Sequence, residues 1–235
     1  MSPFVAEFIG TALLILLGDG VVANFLLTKS KGYNAGWIVN SFGWAMAVFV
    51  AVFVTASSSG AHLNAAVTMA FALTGKFAWS NVPCYIVAQM AGAMFGAFLV
   101  WVSYRRHFNI TDDADAKRGV FCTAPAIRSY PDNLLTEVIA TFVLVFAVLF
   151  LAAPEVGLGS LDALPVAFLV MGVIISLGGP TGAALNPVRD LGPRIMHALL
   201  PIPGKNGSDW AYSWVPVVGP LSGAALAALV YYFVI

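Results

Sequence analysis

Charged side chains are scarce in this sequence: Asp, Glu, Lys and Arg together make up 9% of its 235 residues. Soluble domains carry about 25% charged residues, and a soluble fold of this length could not cover its surface with so few. The net charge is zero, so the composition indicates neither nucleic acid nor an acidic partner. The chain instead has 60% hydrophobic residues in long runs. This pattern indicates a multi-pass protein of the cell membrane, with the lipid bilayer as its solvent.

Cysteine is also rare, and histidine is scattered. The two cysteines, Cys84 in an apolar run and Cys122 in a polar loop, form neither a disulfide framework nor a metal-ligand cluster. No Ser/His/Asp, His-Glu-x-x-His or paired-aspartate arrangement is present, so the sequence predicts neither an enzyme nor a cofactor. The N-terminus lacks a basic region and a small-residue cleavage site, and we expect its first helix to be retained.

Helix-length apolar segments recur along the chain and are separated by short polar loops. Each is long enough to cross a bilayer as an α-helix, which satisfies its own backbone hydrogen bonds in lipid. Two further apolar pieces of 10–13 residues are too short to cross and predict re-entrant segments. The predicted spans are 4–27, 37–57, 82–104, 133–153, 162–179 and 211–233, and the short pieces are about 65–76 and 187–199.

The two halves of the chain repeat each other. Residues 59–67 read SGAHLNAAV and residues 181–189 read TGAALNPVR, and an acidic first helix precedes each motif. We divide this single domain, residues 1–235, into a first repeat, a connector that we interpret as a solvated linker, and a second repeat. With three crossings per repeat, the second copy must be inverted, which places a site near the midplane between discontinuous helices. The boundaries are 1–104, 105–132 and 133–235.

Each motif predicts a half-helix whose N-terminus lies in the membrane. Asparagine is a strong N-cap, and proline suits the first helical position. Two half-helices that meet end to end would each present about half a positive charge, which disfavours cations and protons. The asparagine amide N–H₂ groups would be free to donate to a passing solute, and the unwound stretches 58–63 and 179–185 would offer carbonyls to it. The predicted pore-motif residues are Asn64, Ala65, Ala66, Asn186, Pro187 and Val188.

These motifs resemble the major intrinsic protein family of aquaporins and glycerol facilitators over nearly the whole chain. Ala65 stands where that family has proline, and Asp190 is similar to the glycerol-facilitator branch. The resemblance implies an all-α membrane protein with six transmembrane helices and two re-entrant half-helices, assembled as a homotetramer. It also implies a passive channel for small neutral solutes.

The same resemblance implies a selectivity filter built around Arg189, which is also notable because a charge within a membrane segment is costly and functional by default. Trp44 and Ala183 fall at two further filter positions, and the fourth is either Ile174 or Ile175. The alternatives are an ion pair of Arg189 with Asp190 and a lipid-facing Trp44. Such a wide, apolar filter with one fixed cation suits glycerol and some water; protonated lactic acid or water alone remain alternatives.

Several other polar residues lie within predicted membrane segments. Glu7 and Glu137 occupy equivalent repeat positions, and the resemblance implies that they hold the loop amides of the half-helices. For His62 we expect a local hydrogen-bonding role rather than pH gating. Asp19 has no equivalent in the second repeat; it could cap a break in the first helix or lie at the pore mouth.

A second function class also remains open. An ion- or proton-coupled transporter could use the same inverted repeat, with Glu7, Asp19 and Glu137 as a proton relay. The orientation is open too, because basic residues normally concentrate in cytoplasmic loops. Most loop Lys and Arg residues here lie in loops that the family places outside, and only Lys76 lies on the inner side.

Overall fold

The computed structural model describes residues 1–151 and 161–235, and these residues are helical with irregular connections. Long apolar runs form the long helices, and Asn64 and Asn186 begin the two short ones. A 3₁₀ turn, Trp79–Asn81, precedes α4. The helices are α1 (Pro3–Leu26), α2 (Trp37–Ser59), α3 (Ala65–Leu73), α4 (Val82–Ile110), α5 (Ala114–Gly119), α6 (Tyr130–Leu151), α7 (Ala163–Leu177), α8 (Pro187–Leu199) and α9 (Val215–Val234).

Five of these helices, α1, α2, α4, α6 and α9, are long and apolar enough to cross a membrane. The sixth predicted span corresponds to α7, which has 15 residues in the described part of the chain. The predicted end of the fourth span, residues 152–153, lies outside the described residues. The fold is the predicted one of six membrane helices and two half-helices, α3 with 9 residues and α8 with 13.

The two repeats interlock through their half-helices. Within the first repeat α1 packs on α2 and α4, and within the second α6 packs on α7 and α9. Each half-helix then crosses to the other repeat: α3 packs on α9, and α8 packs on α4. Because of this exchange, the two half-helix N-termini meet at the centre of the molecule, between the two repeats.

Equivalent glycines allow the first and third helices of each repeat to cross closely. A Cβ on Gly92 would lie 2.3 Å from the backbone oxygen of Phe8, and one on Gly223 would lie 2.4 Å from that of Val138. Small residues at helix crossings bring backbones together in membranes, where van der Waals packing replaces the hydrophobic effect. The same contact therefore sets the separation of α1 from α4 and of α6 from α9.

The prediction that residues 105–132 form a solvated linker is wrong. Helix α4 continues to Ile110, and α5 occupies the middle of the segment. Beyond α5, Val120, Phe121 and Cys122 are buried in the main hydrophobic core. Their apolar run covers the core at one end of the helices. Lys117 nearby is also buried and donates to the Pro203 carbonyl, whereas Asp112, Asp113 and Asp115 are exposed.

Candidate solute passage

An elongated cavity of about 200 Å³ lies between the two repeats. Trp44, Val48 and Val52 line it from α2 at successive helical turns, which share one face of the helix. The second repeat contributes matching apolar side chains from α6 and α7, and the two unwound segments contribute backbone. Further lining residues include Leu14, His62, Asn64, Phe71, Leu144, Leu151, Val170, Ile174, Ala183, Asn186 and Arg189.

The two asparagines meet at the middle of this cavity. Asn64 Oδ1 accepts from the Ala66 amide at 2.8 Å, and Asn186 Oδ1 accepts from the Val188 amide at 3.0 Å, so each caps its own half-helix. Each Nδ2 also donates to the opposite repeat, Asn64 to the Leu185 carbonyl at 2.9 Å and Asn186 to the Leu63 carbonyl at 2.8 Å. The expectation that both amide hydrogens are free therefore needs correction: one per asparagine ties the repeats together, and one remains for a solute.

The remaining pore-motif residues build the first turns of the half-helices. Ala65 and Pro187 occupy the first helical position, and Ala66 and Val188 carry the capped amides. These side chains are buried and do not line the cavity. Alanine at residue 65 is compatible with the same helix start as proline because its amide is not needed within the helix.

The unwound segments before the half-helices have an unusual backbone that both repeats share. Ala61 and Leu63 have φ of 50° and 51°, and the equivalent Ala183 and Leu185 have φ of 50° and 57°. Non-glycine residues rarely adopt this left-handed region, so four such residues represent strain that the surrounding structure must hold. The alternation of left-handed and extended residues leaves carbonyls without helical partners beside the cavity.

Two buried glutamates hold these strained segments. Glu7 accepts from the amides of His62 at 2.9 Å and Leu63 at 2.8 Å, and also from Ser59 and Gln89. Glu137 accepts from the amides of Ala184 at 3.0 Å and Leu185 at 3.1 Å, and from Thr181. Both carboxylates are thus engaged by amides of the half-helix loops, and neither lines the cavity.

Trp44 and Arg189 form the most distinctive contact along the cavity. The guanidinium carbon of Arg189 lies 4.2 Å from the centroid of the Trp44 ring. Trp44 faces the cavity and not lipid, with 6% of its surface exposed. The flat guanidinium stacks on the aromatic face, a geometry that stabilises arginine more than lysine. This stack gives the passage one apolar and one hydrogen-bonding surface at the same level.

Ala183 and Ile174 also line the cavity near this stack. Ile175, the other candidate for the fourth filter position, does not: its side chain is 44% exposed on the outer surface of α7. The Ile174 carbonyl accepts from the Trp37 indole at 3.2 Å, which ties α7 to the start of α2.

Asp190 does not pair with Arg189. Its carboxylate accepts from Arg194 Nε at 2.7 Å and Nη2 at 2.9 Å, and from the Thr123 amide at 2.8 Å. Arg194 also donates to the backbone oxygens of Thr123, Ser208 and Asp209. Asp190 therefore attaches the connector to α8, beside the passage and not in it.

His62 lies within the first unwound segment and lines the cavity. Its Nδ1 is 3.1 Å from Thr68 Oγ1, and its ring packs against Phe71, Phe77 and Tyr85. The aromatic rings hold the imidazole at one wall of the cavity.

Asp19 lies within an unbroken α1, so it does not cap a break in that helix. Its side chain is fully buried, and Oδ1 is 3.6 Å from Arg189 Nη1. Neither this pairing nor the position of Gly18, which packs directly against the Trp44 ring, was predicted from the sequence. The one available signal was that Asp19 and Arg189 are both charges within apolar segments, which pair when buried.

The fold and the cavity together define a multi-pass channel protein of the cell membrane. Comparison with known proteins agrees. The chain is 56% identical over 231 residues to a probable glycerol uptake facilitator of Thermotoga maritima, which covers 98% of both chains. It is 39% identical to a D/L-lactic acid transporter of Lactiplantibacillus plantarum, over 97% of this chain and 95% of the transporter. The X-ray structure of the Plasmodium falciparum aquaglyceroporin superimposes with a TM-score of 0.84 at 31% identity, over 97% of this chain and 93% of that one.

The family description "Major intrinsic protein" matches residues 1–231. The chain belongs to this family, whose members are channels and transporters and not enzymes.

Proposed function

We propose that this chain is a passive channel that conducts glycerol and related small polyols, with some water, down their concentration gradients. The observation that carries the proposal is the mixed lining of the passage. Apolar surfaces of Trp44 and Ile174 line the same cavity as three hydrogen-bond donors, the guanidinium of Arg189 and the free amide hydrogens of Asn64 and Asn186. Glycerol has a CH edge and a hydroxyl edge that match both.

Arg189 is proposed to be the main hydrogen-bond donor of the selectivity filter, with Trp44, Ile174 and Ala183 as its apolar walls. A solute leaving bulk water loses hydrogen bonds, and donors fixed in the wall replace them without side-chain reordering. The carbonyls of the strained loops, whose amides donate to Glu7 and Glu137, accept hydrogen bonds from the same hydroxyls. Named relatives that are glycerol uptake facilitators support this assignment.

The polyol proposal is tested by stopped-flow light scattering on proteoliposomes that contain the purified chain. Outward gradients of glycerol, of the four-carbon polyol erythritol and of an impermeant sugar separate solute from water flow. We expect glycerol permeability far above that of protein-free vesicles and a drop for erythritol. Fast water flow with no glycerol flow would instead place the chain in the water-selective class.

Neutral lactic acid is a second candidate, supported by the lactic acid transporter among the relatives. Its hydroxyl and carboxyl groups could accept from Arg189, and Ala183 leaves room beside that donor. Lactic acid gradients at several pH values test this candidate: a neutral-acid channel predicts flux that rises as the pH falls, whereas a polyol-only channel predicts rates equal to those of protein-free vesicles.

We further propose that the chain carries out no catalysis and assembles as a homotetramer with one passage in each subunit. The support is that a single chain supplies every residue that lines the cavity, and that the resemblance of the sequence to the family implies a tetramer. Multi-angle light scattering in detergent, corrected for bound detergent, tests the subunit number. A monomeric mass with full glycerol flux would contradict the tetramer.

A further inference from the structure

The carboxylate of Asp19 is placed to act on the filter without touching the solute. It is fully buried in α1 and is absent from the cavity lining. Neither of its oxygens has a hydrogen-bond partner within residues 1–151 and 161–235. Its one charged contact in this part of the chain is Arg189, at 3.6 Å. A buried carboxylate with no hydrogen-bond donor is costly, so this contact needs a functional explanation.

The other charges near Arg189 are already paired with each other. Asp190 and Arg194 are joined by two hydrogen bonds of 2.7 and 2.9 Å, and both are fully buried. The remaining guanidinium hydrogens of Arg194 are donated to backbone carbonyls of Thr123, Ser208 and Asp209. Within 4.0 Å, and within the described ranges, Asp19 is therefore the single opposite charge available to Arg189.

Without a counter-charge, the part of the passage beside Trp44 and Arg189 would be strongly positive. An arginine guanidinium carries a full positive charge. The half-helices α3 and α8 direct their N-termini at the same region, and each adds about half a positive charge. Charges of one sign in a low-dielectric cleft concentrate the opposite ion, so such a pore would attract small anions.

We propose that Asp19 is a specificity-determining residue: it neutralises Arg189 from behind, so that the passage favours neutral solutes over small anions while Arg189 keeps its hydrogen-bonding face toward the solute. The inference rests on the proposed function of the passage as a channel for neutral solutes. Asp19 is a positioning residue, since it acts on the solute through Arg189 and does not line the cavity.

Three variants separate charge neutralisation from a merely structural role. Asp19→Asn keeps the shape and removes the negative charge, Arg189→Gln removes the positive charge, and the double variant removes both. Asp112→Asn, at an exposed residue of the connector, is the matched control for the same chemical change. Nitrate and sodium fluxes under an imposed potential are measured in the same proteoliposomes as glycerol flux, because neither ion has a neutral form that crosses lipid.

The sign of the leak should follow the net charge of the pair. Per reconstituted protein, Asp19→Asn should raise the nitrate flux at least about tenfold, Arg189→Gln should raise the sodium flux, and the double variant should show neither gain. If Asp19→Asn does not assemble, the comparison of Arg189→Gln with the double variant decides the question. Equal sodium leaks in those two, or no nitrate gain in Asp19→Asn, would overturn the proposal.

Failure of the proposed function gives a different result. In that case wild-type vesicles would conduct no glycerol above the protein-free background. The nitrate and sodium fluxes per reconstituted protein, compared among the three variants, would still decide the role of Asp19.

Discussion

One methyl group added at Gly18 should narrow the passage, although Gly18 lies outside it. A Cβ at residue 18 would lie 2.2 Å from Cζ3 of the Trp44 ring, whereas ordinary van der Waals contacts begin at 3.4 Å. The difference between 3.4 and 2.2 Å requires the ring to shift by about 1.2 Å. Because α1 lies on one side of the indole and the passage on the other, Gly18→Ala pushes Trp44 toward the solute and its Arg189 stack.

The size of the effect follows from the cost of overpacking. Forcing extra carbon atoms into a well-packed site costs about 1–3 kcal/mol. If the whole cost is added to the barrier that glycerol meets beside Trp44, glycerol permeability falls about five- to 140-fold, since 1.4 kcal/mol is a factor of ten. Water is smaller than glycerol and should lose less, so the glycerol-to-water permeability ratio should fall.

Gly20→Ala is the matched control for this prediction. It lies two residues further along α1, no neighbouring atom lies within 4 Å of the Cβ it would gain, and it has the same gain in helix propensity of about 1 kcal/mol. Both variants are compared with wild type by stopped-flow light scattering. If Gly18→Ala and Gly20→Ala give the same glycerol and water permeabilities, the argument that Gly18 sets the position of Trp44 is refuted.

The remaining predictions concern stability, measured as thermal unfolding in detergent. Glu7→Ala leaves four buried donors without their acceptor and should lower the free energy of unfolding by about 3 kcal/mol or more; an unchanged midpoint would contradict this. Arg194→Met leaves Asp190 buried and unpaired and should cost about 3–5 kcal/mol, while adding Asp190→Asn should recover part of the loss. Gly92→Ala forces α1 and α4 apart and should lower the midpoint, whereas Gly172→Ala, with no atom within 4 Å of its Cβ, should not.

The features predicted well from sequence are those set by local chemistry. Span length, asparagine caps and the repeated motif depend on residues close in the chain, and α8 begins and ends where its apolar piece was predicted. The alternation of left-handed residues at Ala61, Leu63, Ala183 and Leu185 could not be predicted, because glutamates from distant helices hold it. Only the repeat indicated that the two segments share one backbone shape.

Features that depend on register or on distant partners were beyond the sequence. Adjacent residues of a helix point about 100° apart, so Ile174 and Ile175 could be separated only once the rotation of α7 was known. Asp19 and Arg189 lie 170 positions apart in the numbering and are brought together by α4, which packs on both α1 and α8. The solvated-linker prediction was wrong because it rested on the many charged residues of the connector. The short apolar run Val120–Cys122 between them is long enough to be buried in the core.

The central claim is that this passage lets neutral polyols equilibrate without an energy source. Uptake of radiolabelled glycerol into proteoliposomes, with and without an imposed proton gradient or membrane potential, tests it most directly. We expect rapid glycerol uptake that stops at equal inner and outer concentrations under every condition. Its rate should not change with the proton gradient or the membrane potential. Accumulation above the outside concentration when a gradient is imposed would contradict it and would indicate a coupled transporter.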